Sequence, residues 1–259
     1  KKPELLMRRN FLPILGLLSL FVLGSCSADR DPKIASLKHA VEVADSQLLD
    51  AAAELDTTNC FPRSLMPKFR AVDAKDWTSG FFPGSLWQCY RFTGDEKLLA
   101  EARKYTDRLE GIQYYKGTHD LGFMVFCSFG QQMETLHDQH SEEVIVEAAK
   151  SLISRCDPRI GLIRSWDFGE WNYPVIIDNM MNLEMLFWAS KHTGDPVYRD
   201  VAVRHADITM KNHFRDDASS FHVVSYNDDG TVESRGTFQG YSDSSAWARG
   251  QAWGLYGYT

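Results

Sequence analysis

No two of the five cysteines stand in a C-x-x-C pair. That spacing offers neither a zinc knuckle nor a dithiol redox motif. Cations are also scarce: 28 Lys and Arg against 35 Asp and Glu give a net charge of −7. Such a surface is a poor partner for nucleic acid, whose binding needs basic patches. A polyanionic ligand would have to be held by local arginines or backbone donors against an unhelpful overall field. The apolar run Phe11 to Leu23 has about thirteen residues, too few to span a bilayer as a helix. At 259 residues, 44% hydrophobic and 24% charged, the chain can otherwise bury a sizeable core. Aromatics are in excess, at 12% with seven Trp. Trp and Tyr line sugar clefts as readily as they fill a helical core.

The short apolar run follows Met7-Arg8-Arg9-Asn10 and ends in Leu23-Gly24-Ser25-Cys26. A basic start and a short apolar stretch read as a signal peptide, with Met7 as initiator. The last four residues match a bacterial lipobox. Residues 1–26 are therefore expected to be a lipoprotein signal ending at the lipidated Cys26, and residues 27–33 a tether. The protein would be lipid-anchored in the bacterial cell envelope, periplasmic or cell-surface, touching membrane through that lipid only. Loss of residues 1–25, which hold Lys1, Lys2, Arg8, Arg9 and Glu4, takes the net charge to −10. Cys89 and Cys127 read as small core residues on helices.

Beyond the tether the pattern is helical. Ile34 to about Leu55 is amphipathic, Ser85 to Phe92 apolar, and Glu96 to Leu109 charged and amphipathic. Further helices are expected over Leu121–Leu136, Glu142–Ser154, Asp178–His192, Pro196–His213 and Ser244–Tyr258. Thr-Gly-Asp turns at 93 and 193 mark a repeat of roughly 50 residues, an apolar inner helix with an amphipathic outer one. Long segments at 56–80, 111–120, 156–177 and 214–243 precede the inner helices, and loops of that length are usually functional. They all enter at the same end, so they should gather at one rim. A closed all-α (α/α)6 barrel, a six-hairpin toroid, explains this better than an open solenoid. About eight helices are found where twelve are needed, so residues 34–259 read as the N-terminal two-thirds of one (α/α)6 catalytic domain.

The candidate chemistry falls at that rim. Asp120 precedes one inner helix and Asp178 opens the next, after an apolar approach. Neighbouring helices pack about 8–10 Å apart, so their N-terminal side chains can meet. Paired carboxylates with separated pKa values perform general acid and base chemistry near neutrality. Helix dipoles would lower both pKa values, so a general acid here needs burial or its neighbour's charge. The structural alternative is a pair of N-caps. Arg249 and Trp253 stand four apart on one helical face. A guanidinium beside an indole suits a sugar ring bearing a carboxylate. Tight helix packing around a buried Arg ion pair is the alternative there.

Ser245-Ala246-Trp247-Ala248-Arg249-Gly250-Gln251-Ala252-Trp253-Gly254-Leu255-Tyr256-Gly257-Tyr258 resembles the signature of unsaturated glucuronyl hydrolases, glycoside hydrolase family 88. The resemblance extends to residues 76–84, 119–123 and 177–182, and runs from about residue 34 to 259. It implies an (α/α)6 barrel, Asp178 as acid/base and Asp120 as its partner carboxylate. Trp77, His222, Gln239, Trp247, Arg249 and Trp253 would line the terminal-sugar subsite. It implies no metal and no organic cofactor. The implied substrate is an oligosaccharide ending in a 4,5-unsaturated uronic acid, left by a polysaccharide lyase from a glycosaminoglycan or a similar chain. Asp178 would protonate C4 while water adds at C5, and the hemiketal then opens and releases the next sugar. The alternatives are an unsaturated rhamnogalacturonyl hydrolase or a non-catalytic carbohydrate-binding surface lipoprotein.

Overall fold

The computed structural model describes residues 32–64 and 69–259. The expected signal peptide, Cys26 and the tether up to residue 31 lie outside the described residues. Two compact units divide after Ala44. The described part of the first, residues 32–44, is helical and belongs to α1 (Pro32–Glu54). Everything below lies in the second unit, Asp45–Thr259.

Three helical hairpins follow in order: α2 (Phe81–Thr93) with α3 (Glu96–Asp107), α4 (Phe129–Leu136) with α5 (Gln139–Ile153), and α6 (Leu183–Thr193) with α7 (Pro196–Asn212). Helix α8 (Ala248–Tyr258) packs on the turn that precedes α6. Each hairpin turns by the same device. Helix α2 ends on Gly94 at φ 70° and α6 on Gly194 at φ 75°. The next helices open on Asp95 and Asp195, whose carboxylates accept from the amides of Lys97 (2.8 Å) and Val197 (3.0 Å). A left-handed C-cap followed at once by an Asp N-cap ends one helix and starts the next within two residues. The middle hairpin has the same turn without glycine: His137 sits at φ 54° and Asp138 accepts from the Ser141 amide at 3.0 Å. The repeat read from two Thr-Gly-Asp turns thus has its third copy at 137–138.

The core lies between hairpins, where Trp87, Tyr105, Leu98, Phe129, Ile145 and Leu186 are fully buried. Burying side chains of this size is worth about 1.5–3 kcal/mol each. The Trp87 indole reaches across from α2 to the Thr106 hydroxyl, 2.9 Å away on α3. This satisfies the one polar atom that its burial would otherwise strand.

Short strands occupy the expected loops. β1 (Phe61–Ser64) pairs with β2 (Arg70–Val72), and β3 (Cys156–Asp157) with β4 (Leu162–Ile163). β5 (Pro174–Ile176), β6 (Val223–Tyr226) and β7 (Val232–Gly236) form one antiparallel sheet in that order. Runs of two to five residues carry too little alternation to be legible as strands, and the β5–β6 pairing joins segments distant in sequence. That sheet positions the site. Val175 pairs with Val224 and Ile176 with Val223, and the Ile177 amide continues the ladder onto the His222 carbonyl at 3.0 Å.

Candidate active site

Asp178 lies in a 3-10 turn, Ile177–Asn182, that leaves β5 and runs into α6. It is not a helix cap: Ile176 holds the N-cap position and no side-chain capping bond forms. Its residue is 6% exposed, so the carboxyl is largely removed from water. Burial, and then the charge of Asp120, raise its pKa to about 7. Its own backbone amide, Arg249 and the Trp253 indole act the other way and are outweighed. Burial and the neighbouring carboxylate are the two influences that a general acid at this position was expected to need against the helix dipole. At neutral pH a large part of Asp178 carries a proton that it can give away.

Asp120 stands before a π-helical turn, Gly122–Phe126, which leads to α4. Its side chain is 21% exposed, accepts from the Thr118 hydroxyl, and lies 3.2 Å from His119 Nε2. Burial lowers the His119 pKa, so that imidazole is neutral. Two carboxylates in unlike surroundings, one dry and one partly wet, are what separates an acid from a base.

His222 precedes β6 and is 2% exposed. Its Nδ1 accepts from the amides of Phe238 (3.0 Å) and Gln239 (3.2 Å). A nitrogen that accepts two backbone bonds carries no hydrogen, so the proton resides on Nε2. That atom faces Asp178 Oδ2 at 3.6 Å. Burial, then Arg249 and His119, depress the His222 pKa to about 4, which keeps it a neutral donor.

Arg249, in the first turn of α8, is exposed at the rim. Its guanidinium lies 4.4 Å from the Trp247 ring centre and 5.3 Å from that of Trp77, and it donates to the side-chain amide oxygen Oε1 of Gln239. Among the described residues it forms no salt bridge, so the reading as a buried ion pair fails. Trp247 in turn lies 4.4 Å from the His222 ring. Phe123 packs edge-on against both Trp77 (5.5 Å) and Trp253 (5.1 Å). The eight residues expected at the site, Asp120, Asp178, Trp77, His222, Gln239, Trp247, Arg249 and Trp253, thus form one connected cluster. Gly257 seats α8 here, because a Cβ would run into Met180 beside Asp178.

Two groups of site residues escape a reading by sequence. One is an aromatic cluster at the rim: Trp166 stacks on Phe168 at 5.0 Å and meets Trp171, Phe238 and His222 within 6.4 Å. Three aromatics within six residues of one long loop were its signal. The other is the buried pair Asn179 and Asn182, which touch both carboxylate-bearing turns and announce themselves only by position.

Helical hairpins that gather two carboxylates, a guanidinium without a carboxylate partner among the described residues, and a set of aromatics suit a glycosidase of the (α/α)-barrel class. Comparison with known proteins makes this particular. The description Glycosyl Hydrolase Family 88 matches residues 53–259, and the chain belongs to that family. It is 49% identical over 208 residues to an unsaturated glucuronyl hydrolase of Formosa agariphila, covering 78% of this chain and 52% of the relative. An unsaturated chondroitin disaccharide hydrolase of Streptococcus pyogenes serotype M1 is 38% identical over 198 residues, 73% of this chain and 49% of the relative. The crystal structure of an unsaturated glucuronyl hydrolase specific for heparin superposes with a TM-score of 0.79 at 47% identity, covering 84% of this chain and 60% of that one. The chain spans about half the length of the curated relatives it matches.

Proposed function

We propose that the protein removes the 4,5-unsaturated uronic acid from the non-reducing end of lyase-generated oligosaccharides, as an unsaturated glucuronyl hydrolase. The observation that carries this is a buried Asp178, its pKa raised by burial and by Asp120, in one cluster with a guanidinium that lies against two indoles. Arg249 pairs with the uronate carboxylate, and Trp77 and Trp247 flank the ring. Asp178 gives its proton to C4, and electron density leaves the C4=C5 bond for the new C–H bond. Water adds at C5, and its surplus proton returns to the ionised Asp178. The C5 hemiketal then opens the ring and expels the reducing-end sugar. His222 Nε2–H, facing Asp178 Oδ2, steadies the carboxylate in its ionised interval. Trp166 and Phe238 offer an apolar face on which the next sugar stacks. A relative of this kind from Streptococcus agalactiae has been crystallised, as a substituted form, with dGlcA-GalNAc6S. Glycosaminoglycan fragments are accordingly the substrates to try first.

In the full-length protein, Asp178→Asn is expected to lose about 10²–10⁴-fold in kcat. The assay is the fall in ultraviolet absorbance of the conjugated C4=C5 bond, using lyase-generated disaccharides. Near wild-type bleaching by Asp178→Asn removes the mechanism. A preference for rhamnogalacturonan fragments redirects the substrate, and binding without turnover leaves a sugar-binding protein. We further propose anchoring through a lipid on Cys26. Mass spectrometry of membrane-extracted protein tests it, and an unmodified Cys26 refutes it.

A further inference from the structure

The two carboxylate-bearing turns are joined by a relay of buried amides. The Gly122 amide, two residues after Asp120, donates to Asn182 Oδ1 at 2.9 Å. Asn182 Nδ2 donates to Asn179 Oδ1 at 2.9 Å. Asn179 Nδ2 donates to the Ile163 carbonyl (2.8 Å) and to Ser165 Oγ (3.1 Å). Ser165 closes the circuit: its carbonyl accepts from the His119 amide at 3.2 Å, and its hydroxyl from the Ile176 amide at 2.9 Å. Both asparagines are fully buried. The relay therefore begins and ends on residues flanking Asp120, and Asp178 sits inside the turn that supplies both amides.

Its geometry is specific. The first amides of a helical turn lack partners within that turn, and here one is satisfied from a different hairpin. Gly122 is required for the approach, since a Cβ there would lie 2.5 Å from Asn182 Oδ1. Glutamine would be too long and serine too short to bridge Gly122 and Asn179 together. We propose that Asn182 is a positioning residue, a cap supplied by the Asp178 turn to the Asp120 turn that fixes the separation of the two carboxylates. This rests on the reading of Asp178 as the acid. The groups that face Asp178 are Asp120 from the second hairpin, Arg249 and Trp253 from α8, and His222 from the start of β6. Of these only Asp120 is negative, so loosening the cap weakens the one charge that adds to burial in holding the proton on Asp178.

The test uses Asn182→Ser, Gly122→Ala, and each combined with Asp120→Asn, in the full-length protein. Without substrate, the Asp178 carboxyl is titrated by carbon-13 NMR, assigned through Asp178→Asn. With substrate, the pH dependence of kcat is measured. Both single variants are expected to lower the Asp178 midpoint by about half a unit or more. The alkaline limb of kcat, where the acid is lost, should move to lower pH by the same amount. In the Asp120→Asn background the same changes should add nothing, because the charge they modulate is gone. Folded variants that titrate like wild type overturn the proposal, and so does a shift that persists without Asp120. If Asn182→Ser does not fold, Gly122→Ala decides, and its wild-type titration would return Asn182 to packing. A wild-type protein inert toward unsaturated uronides, with the titration shift intact, discards the substrate and keeps the relay.

Discussion

At the scale of single residues, the site sets function against stability. Protonated Asp178 is the form the fold favours. Stability therefore falls as pH rises from the ordinary carboxylate range through about 7, because folding must then bury a charge. Asp178→Asn removes that loss. It is expected to stabilise the protein by about 2–4 kcal/mol above pH 8 and to be near neutral at pH 4. Denaturant titrations at the two pH values check it, and an equal effect at both would mean that Asp178 is not a buried acid. Arg249 makes a complementary case at the rim. Lys cannot stack a planar cation against Trp247 or pair in bidentate fashion with a carboxylate. Arg249→Lys should raise KM about tenfold or more, the loss of one charge-assisted hydrogen bond, with kcat much less affected. Unchanged kinetics would return Arg249 to packing.

At the scale of elements, the hairpin turns show how a local rule is met by unequal residues. Gly94 and Gly194 take the left-handed C-cap without strain, while His137 takes it at φ 54° with a Cβ in the way. A non-glycine residue there costs about 1 kcal/mol, partly offset because glycine loses more entropy on folding. His137→Gly is therefore expected to raise stability by roughly 0.5 kcal/mol, read as a higher midpoint in thermal unfolding. A lower midpoint would mean that the His137 ring contributes more than its backbone strain costs. Helix α6 refines the expectation of an apolar inner helix. Its sequence is apolar on most faces, and Met185, Leu186 and Leu183 are buried, yet Phe187 is 43% exposed. Periodicity counts apolar residues and cannot say which faces are covered.

At the scale of the whole molecule, apolar side chains recur uncovered on the later helices: Phe187 on α6, Met210 on α7, and Leu255 and Tyr256 on α8. Apolar side chains exposed in a contiguous patch normally mark an association surface. The 259-residue chain by itself is expected to form oligomers at micromolar concentration in sedimentation velocity runs. A monomer with cooperative unfolding would show these side chains to be harmless. The helical hairpins, their turns and the shared face of Arg249 and Trp253 were legible in the sequence, because each is a short pattern in neighbouring residues, and Asp120 and Asp178 stood out through their equivalent places in the repeat. A capped turn or an i, i+4 pair is fixed by local geometry, whatever surrounds it. Only the tertiary structure decided that Asp178 keeps a proton instead of capping a helix. That outcome depends on burial by distant segments, on the Asp120 charge and on the β5–β6 register that sets His222 opposite it. The same holds for Asn179 and Asn182. An asparagine becomes a link between two hairpins only when the other hairpin presents its amide, and no run of neighbouring residues encodes that meeting.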